Sequence, residues 1–432
     1  MIYSNFTAVL DIGSAQISLA IGTKTTEGKL NIIDVESCPS SSIKYGKIVN
    51  ESVVAKEVQA LILKVQQRHK VIIEQVYVST SGVPLYSERV SLTKALGNGS
   101  IVTEEVLSSL NGAEELKLKD TKDRLLHKEA LIYRLDDEKQ EMVVGKSCRR
   151  IEADYLLVKA ETDSLERIEN SLDIAKVKMA EMFLAPQVIA EAILTEEEKK
   201  TGVAAVEIAN ASTKIAIYKE DKLQYIATLP LGYRLIIKDL SNALNISYAL
   251  AETLFQHKEV GAVYASFVKD ADMELSTKSD IKKIYPTRFI VEIIEARLEE
   301  ILLNIKNHLA KSGFINLIIS GMVFTGNVVK LKNLSQFVSL KTNLNVRIAN
   351  LAPSLSPDSK HQLSDADAEI CGMLTLGKSI SKKEDKKEKK EAAPAPSAKP
   401  KTPSGEKKGK KQIFRGMRNL FEEIFDEEDT SL

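Results

Sequence analysis

Two stretches of this chain share one pattern of apolar and polar positions. VLDIGSAQISLAIG, residues 9–22, and AAVEIANASTKIAIY, residues 204–218, each read as an apolar strand, a short polar turn and a return strand. Around the first, residues 6–82 alternate strands with one helix and close on the β-rich run EQVYVSTSG, which predicts an α/β unit. Residues 83–160 break that rhythm. Strand-like SERVSLTKA, helical TEEVLSSLNGAEELKL and short strands LIYRL and ADYLLVKA predict an inserted α+β subdomain. Helix spacing returns in SLERIENSLDIAKVKM and PQVIAEAIL, so residues 161–200 continue the first unit. The second hairpin then opens a comparable unit at 201–232.

Residues 233–287 read as a small helical subdomain. RFIVEIIEARLEEILLNIKNHLA predicts a long amphipathic helix whose buried face carries Ile290, Ile294, Leu298, Ile301, Ile305 and Leu309. After a stop at Gly313, the apolar run FINLIISG predicts a buried strand ending at Gly321. Residues 288–352 would complete the second unit and 353–378 return to the first.

Past Gly377 the pattern disappears. Residues 379–410 are rich in Lys, Glu, Pro and Ala with almost no large apolar side chain, so burial cannot offset the entropy of ordering and a disordered linker is expected. Residues 411–432 restore helical spacing: Ile413, Phe414, Met417, Leu420, Phe421, Ile424 and Phe425 fall on one face, followed by an acidic end. Three destinations fit that face: the protein's own body, a groove on a partner, or a membrane surface. Aromatic residues on the apolar face and Lys407, Lys408, Lys410 and Lys411 just upstream favour anionic lipid. A helix this short is unstable alone in water, so one copy should bind weakly and many copies on one assembly tightly.

Length and charge narrow the classes. A chain of 432 residues suggests roughly two to four domains. Sixty Lys and Arg balance sixty Asp and Glu, so no overall field attracts nucleic acid. Cys38, Cys148 and Cys371 are widely spaced and odd in number, which fits a reducing, cytosolic compartment and opposes a disulfide framework or a zinc site. No run approaches the about 18 apolar residues that a spanning helix needs, so membrane contact is expected to be peripheral.

The first hairpin carries candidate chemistry. Asp11 ends a strand, Gly13 lets the backbone turn near a ligand, and successive N–H groups at Ser14, Ala15 and Gln16 can form an anion-binding concavity. An acid there can hold Mg²⁺ through water. A plain hairpin with a polar turn accounts for the same residues.

The pair of hairpins resembles the nucleotide clamp of the actin, Hsp70 and sugar-kinase superfamily. The segments EAILTEEEKKTGVAAVEIA, EMVVGKSCRRIEADYLLV and EIIEARLEEI, with the order of the units, the insert, the linker and the tail, resemble bacterial FtsA across essentially the whole chain. The resemblance implies an α/β, actin/Hsp70-like two-lobed fold with an inserted α+β subdomain. It implies ATP with Mg²⁺ between the hairpins, contacted by Asp11, Gly13, Ser14 and Gln16 from the first and Glu207, Asn210, Ser212 and Thr213 from the second. Glu252 and Gly321 would lie on the adenosine side, and Asp11 on the metal. The implied role is a peripheral scaffold on the cytoplasmic face of the inner membrane. It would polymerise with itself, bind the C-terminal peptide of FtsZ near Arg297 and Glu300, and gather other divisome proteins at the division site.

The family's second loop reads approximately V-D-I-G-G-G-T-T-D, whereas this chain has Val206-Glu207-Ile208-Ala209-Asn210-Ala211-Ser212-Thr213-Lys214. Methyl groups at Ala209 and Ala211 disfavour positive φ and close approach to phosphate, while Asn210 tolerates a left-handed turn. Ser320-Gly321-Met322-Val323 replaces an expected T-G-G-G, and Glu252-Thr253-Leu254-Phe255 lacks the lysine of E-R-I-K. These departures predict weak or absent ATP binding, negligible hydrolysis and no catalytic residue. A pilus or secretion scaffold and an ATP-dependent phosphotransferase are the alternatives on the same fold.

Overall fold

The computed structural model describes residues 5–381, apart from 45, 113–121, 270, 352–353, 360, 362 and 365–366. The expected linker beyond Ser381 and the whole tail, with Ile413, Phe414, Met417, Leu420, Phe421, Ile424 and Phe425, lie outside the described residues.

The chain opens with strands β1 (Asn5–Ile12), β2 (Gln16–Lys24) and β3 (Leu30–Pro39), a two-residue pair β4 (Ile43–Lys44) and β5 (Lys47–Ile48), helix α1 (Glu51–His69) and β6 (Gln75–Ser79). The insert follows as β7 (Leu85–Ile101), α2 (Glu104–Gly112), β8 (Asp123–Leu135), β9 (Glu138–Gln140) and β10 (Ser147–Glu161). Then come α3 (Thr162–Ile174), β11 (Lys178–Phe183), α4 (Ala185–Ile193) and α5 (Glu196–Thr201). The second unit comprises β12 (Val203–Ile208), β13 (Thr213–Lys219), β14 (Lys222–Leu229), α6 (Arg234–Ala243), α7 (Tyr248–Phe255), β15 (Asp272–Ser276), β16 (Lys282–Pro286), α8 (Thr287–Lys311), β17 (Met322–Gly326), α9 (Leu334–Thr342) and β18 (Val346–Ile348). The chain ends its described part with α10 (Ala368–Leu376) and β19 (Ile380–Ser381).

One topology is used twice. The first sheet runs β11-β6-β1-β2-β3, and the second contains β18-β17-β12-β13-β14 in the same arrangement. In each, an antiparallel hairpin and a third antiparallel strand lie on one side, with two parallel strands on the other. The two apolar hairpins of the sequence are the equivalent centres of these two lobes.

The burial of β12 shows why VAAVEI carries no regular polar alternation. Its whole length is buried because both faces of the sheet are covered. Ala205, with Ala216 of β13 and Ile226 of β14, packs into the core of the first lobe beside Val188 and Ile189 of α4. Ala204 and Val206, with Ile215 and Ile217, pack into a second core beneath Ile236 of α6 and Leu298 of α8. Successive strand residues thus point alternately toward and away from the first lobe. Glu207 and Lys214 belong to the face that points toward it.

The long amphipathic helix is α8, and Ile290, Ile294, Leu298, Ile301, Ile305 and Leu309 are all buried. Three sequence-based expectations are corrected. The run FINLIISG is not a strand: Leu317 N and Ile318 N donate to the Phe314 carbonyl, which bends the segment into turns, and the strand starts only at Met322. Residues 233–287 include the antiparallel pair β15 and β16. Its strands are largely exposed, so no apolar face marked them in the sequence. Finally, Ile380 and Ser381, expected to begin the linker, pair with Phe6 and Asn5 as β19.

The insert has its own small core, including Leu92, Leu110, Leu135, Ile151 and Tyr155. Its strands are long, 13 residues in β8 and 15 in β10, and they extend the second-lobe sheet through β14 and β7. At that junction the Ser87 hydroxyl accepts from Ile226 N at 2.9 Å and donates to its carbonyl at 2.8 Å.

Helices α4 and α10 approach closely only because residue 372 is glycine. A Cβ at Gly372 would stand 1.7 Å from the Val188 carbonyl oxygen, a backbone atom that cannot rotate away. Gly372→Ala should destabilise the body by about 2–3 kcal/mol, measured as a lower urea midpoint at unchanged m-value. An unchanged midpoint would show that the helices part without cost.

Candidate functional site

The site is built by the registers of the two hairpins. Asp11 faces Ser18 across β1 and β2, and Glu207 faces Lys214 across β12 and β13, so the two pairs hold equivalent places in the repeat. Each turn is closed in the same way: Gly13 N donates to the Gln16 carbonyl at 3.1 Å, and Ala209 N to the Ser212 carbonyl at 2.9 Å.

The missing glycines do not strain the second turn. Neither Gly13 nor Ala209, Asn210, Ala211 or Ser212 has positive φ, so the expected penalty on Ala209 and Ala211, and the expected use of Asn210, do not apply to the backbone. The loop is held from behind, where Tyr233 N and Arg234 N donate to the carbonyls of Ala209 and Asn210 at 3.0 and 3.1 Å. Glycine is required at 232 instead, since a Cβ there would lie 2.2 Å from the Asn210 carbonyl oxygen. What the substitutions change is the cavity wall, which now carries the side chains of Ala209 and Ala211.

Both turns line one cavity of about 280 Å³. The structure brings Asp11, Gly13, Ser14, Gln16, Glu207, Asn210 and Ser212 together there, as expected from the sequence. It adds Ser81, Lys214, Tyr233, Asn327, Asp367 and Glu369. Thr213 is elsewhere: it is fully buried and its hydroxyl donates to the Leu231 carbonyl at 2.6 Å. Gly321 is also displaced. It lies before the first residue of β17, packed against Asn345, whereas the cavity is at the other end of that strand, beyond Gly326, at Asn327. Glu252 lines a separate, more open cavity of about 790 Å³ with Ala249, Thr253 and Gln256. The Tyr233 hydroxyl, donating to Glu252 at 3.2 Å, connects the two.

The cavity floor is a buried charge cluster. Lys214 Nζ donates to Glu207 Oε2 at 2.7 Å and to Glu369 Oε2 at 2.6 Å, and it stands 3.5 Å from Ser81 Oγ. The ammonium and both carboxylates are 3–5% exposed. Glu369 opens α10 and belongs to the first lobe, where Ser79 and Ser81 also donate to it. The Lys214 bridge therefore spans the lobes. Burial alone would push Lys214 down, but Glu207, Glu369 and Asp11 outweigh it and raise its pKa, so it stays charged.

Three acids surround one ammonium, and Asp11 makes no direct ion pair with it among the described contacts. Burial first, then Glu369, push Asp11 up to about 8, with Lys214 pulling the other way. At neutral pH its carboxyl is largely protonated. Its Oδ1 is buried without a hydrogen-bond partner, the one feature here that favours a further ligand. Mg²⁺, implied by the resemblance, does not fit the donor set: Glu207 and Glu369 are already committed to Lys214. Among the described residues no group of three or more His, Cys, Asp or Glu is placed to hold a metal ion.

Away from the cavity, Arg297 of α8 donates to Asp239 of α6 and to Glu300, both at 2.5 Å. Glu300 lines a surface groove of about 420 Å³ with Ala296, Leu303, Lys306 and Lys341.

Comparison with known proteins agrees with this architecture. The family described as "Cell division protein FtsA" matches residues 204–369. Proteins named Cell division protein FtsA are similar over most of their length: that of Pseudomonas aeruginosa is 26% identical, covering 78% of this chain and 81% of its own. Those of Escherichia coli and Bacillus subtilis are each 25% identical, covering 78% and 79% of this chain and 82% and 78% of theirs. The resemblance to FtsA found in the sequence is thus shown. Among solved structures, one titled "PilM-PilN type IV pilus biogenesis complex" superposes with a TM-score of 0.61 at 15% identity, covering 85% of this chain and 97% of the other. MreB5 of Spiroplasma citri bound to ADP gives 0.51 at 10% identity, covering 85% and 95%. The fold is the expected actin-like one.

Asp11 makes stability depend on pH in a definite direction. Its folded pKa of about 8 exceeds the ordinary 3.8, so the folded state holds a proton that the unfolded chain releases, and stability falls as pH rises between those values. Between pH 5 and 7 the wild type should lose about 1 kcal/mol per pH unit relative to Asp11→Asn, read from urea midpoints. Parallel profiles for the two proteins would show that Asp11 is already ionised in the fold.

Proposed function

From a chain similar to FtsA over 78% of its length, we propose a membrane-tethered, actin-like scaffold of cell division that holds FtsZ filaments at the cytoplasmic membrane and helps to assemble the divisome. The observation that carries this reading is the pairing of FtsA-like similarity across both lobes with an amphipathic C-terminal pattern. The coarse role, an actin-like protein of cell division, follows from the relatives. The anchor follows from physical chemistry: seven bulky apolar side chains from Ile413 to Phe425 on one helical face need an apolar phase, and a lysine-rich stretch precedes them. No described helix is long and apolar enough to cross a membrane.

Weak single anchors suit an assembly. Each body would bring one such apolar pattern, and a polymer of bodies would bind lipid by avidity. The insert would supply contacts between neighbouring bodies and docking for later division proteins. The groove beside Glu300 on α8 offers the apolar Ala296 and Leu303 with charges of both signs, Lys341 being paired with Glu299, and we assign it to apolar side chains of the FtsZ C-terminal peptide. Arg297 would act by fixing the α6–α8 edge of that surface through Asp239.

The cleft serves this role as architecture. Asp11, Gly13, Ser14 and Gln16 retain the surroundings of a phosphate loop, and Glu207, Asn210 and Ser212 retain its mirror. The methyl groups of Ala209 and Ala211 and the spent charges of the floor oppose tight binding of a nucleotide such as ATP. Hydrolysis would be negligible. A pilus or secretion scaffold shares the fold, but the relatives named for cell division and the tail favour the reading given.

Full-length protein should float with anionic liposomes in a density gradient, and protein lacking residues 412–432 should stay at the bottom. A fluorescent fusion should form midcell membrane bands that become diffuse on the same truncation, whereas an unchanged pattern would overturn the anchor. In calorimetry, ATP should bind weakly or not at all. Micromolar affinity abolished by Asp11→Ala would overturn the reading of the cleft.

A further inference from the structure

We propose that the Lys214 ammonium is the resident cation of the interlobe cleft, taking the place of a divalent metal ion and holding the lobes together without metal. The proposal is independent of the division role, so its failure would leave the membrane scaffold standing.

The argument begins with the internal repeat. Equivalent positions in the two hairpins carry Ser18 opposite Asp11 and Lys214 opposite Glu207. Ser18 stays within its own lobe, accepting from Ser37 at 2.8 Å and Gln16 at 3.2 Å. Lys214 extends from the second lobe to Glu369 of the first. A cross-strand pair local in one copy has become an interlobe bond in the other.

Two of the three hydrogens on Lys214 Nζ are bound at short range and the third faces a hydroxyl. An ammonium has three hydrogens, and the neighbours at 2.7, 2.6 and 3.5 Å are Glu207, Glu369 and Ser81. Glu369 is further held by Ser79 and Ser81, so its oxygens are fixed around Nζ. Mg²⁺ requires near-octahedral oxygen ligands at short range and keeps several waters. It could reach Glu207 and Glu369 only by displacing Lys214, and in a site this buried the two cations would repel strongly. Of the other acids lining the cavity, Asp11 is largely protonated and Asp367 Oδ2 already accepts from Ser364 N and Oγ, which leaves no set of free carboxylates for a hydrated divalent ion. The acids facing the ammonium from every packed element are Glu207 on β12, Asp11 on β1 and Glu369 on α10. With Asp11 largely protonated, the one monovalent cation is paired with Glu207 and Glu369.

The cleft of this protein is therefore closed by a cation that cannot dissociate. A metal-dependent clamp opens when its ion leaves, but this one stays linked to the chain.

Thermal unfolding of the full chain in EDTA and in MgCl₂, with no nucleotide present, tests the proposal. Wild type should show the same Tm in both. In Lys214→Met the stem is kept and the charge removed, leaving Glu207 and Glu369 without a counter-ion, so the Tm in EDTA should fall by roughly 5 °C or more and recover in part with Mg²⁺. Lys214→Ser, which restores the residue of the first hairpin and leaves room for water, should behave likewise and serves where the methionine variant does not fold. A wild-type Tm that rises with Mg²⁺, and loses that rise in Asp11→Asn, would overturn the proposal with no Lys214 variant needed. A rise that survives Asp11→Asn would come from acids outside the cleft and agree with it. Folded Lys214 variants whose Tm matches wild type in EDTA would also overturn it.

Discussion

The two lobes meet across buried charge, and that contact constrains everything around it. Lys214 cannot be left without partners in an interior from which water is excluded, and neither can Glu207 or Glu369. Such a group contributes little net stability against an apolar replacement, but removing one member alone is costly. Its effect is to specify. Helix α10 must present Glu369, and β6 with the turn after it must present Ser79 and Ser81, at one position relative to β13. Apolar packing between α4 and the second sheet supplies area, while the ionic contact selects the register.

The fold was largely legible because its signals are local. Apolar hairpins, the six-residue face of α8 and the buried run of α4 each announce an element through spacing alone, and the repeated hairpin announces two lobes. Where the sequence misled, a different force decided. FINLIISG is apolar enough for a strand, yet local turn hydrogen bonds to Phe314 and the positive φ of Gly321 bend it, burying Phe314 and Ile318 and exposing Ile319. The β15–β16 pair eluded the reading because polar strands on a surface lack apolar alternation. The lengths of β8 and β10 were underestimated because their polar positions, among them Arg134 paired with Glu152 and Asp154, are satisfied across the sheet.

The site was legible in part. Residues of the two turns could be found from their pattern, and the cavity gathers them. Glu369 could not be found, since nothing in SDADAEICG indicates that a helix will bring its first turn to a hairpin from the other lobe. Lys214 carried a readable signal that went unused: in a hairpin with a turn of this size, residues equidistant from the turn face each other, so an acid at 207 implies a partner at 214. Loss of glycine suggests damage to the turn, whereas the backbone there has no positive φ and does not depend on it.

The join between β14 and β7 has a mechanical meaning. Because the insert joins the second-lobe sheet where Ala227 pairs with Tyr86, with the Ser87 hydroxyl bonded to both backbone groups of Ile226, tension applied at its outer strands would converge on that short seam before reaching β13. The strand carrying Lys214 thus lies on the load path. A pull on the insert would therefore be concentrated at Ala227 and Ser87, one strand away from the ammonium that joins the lobes.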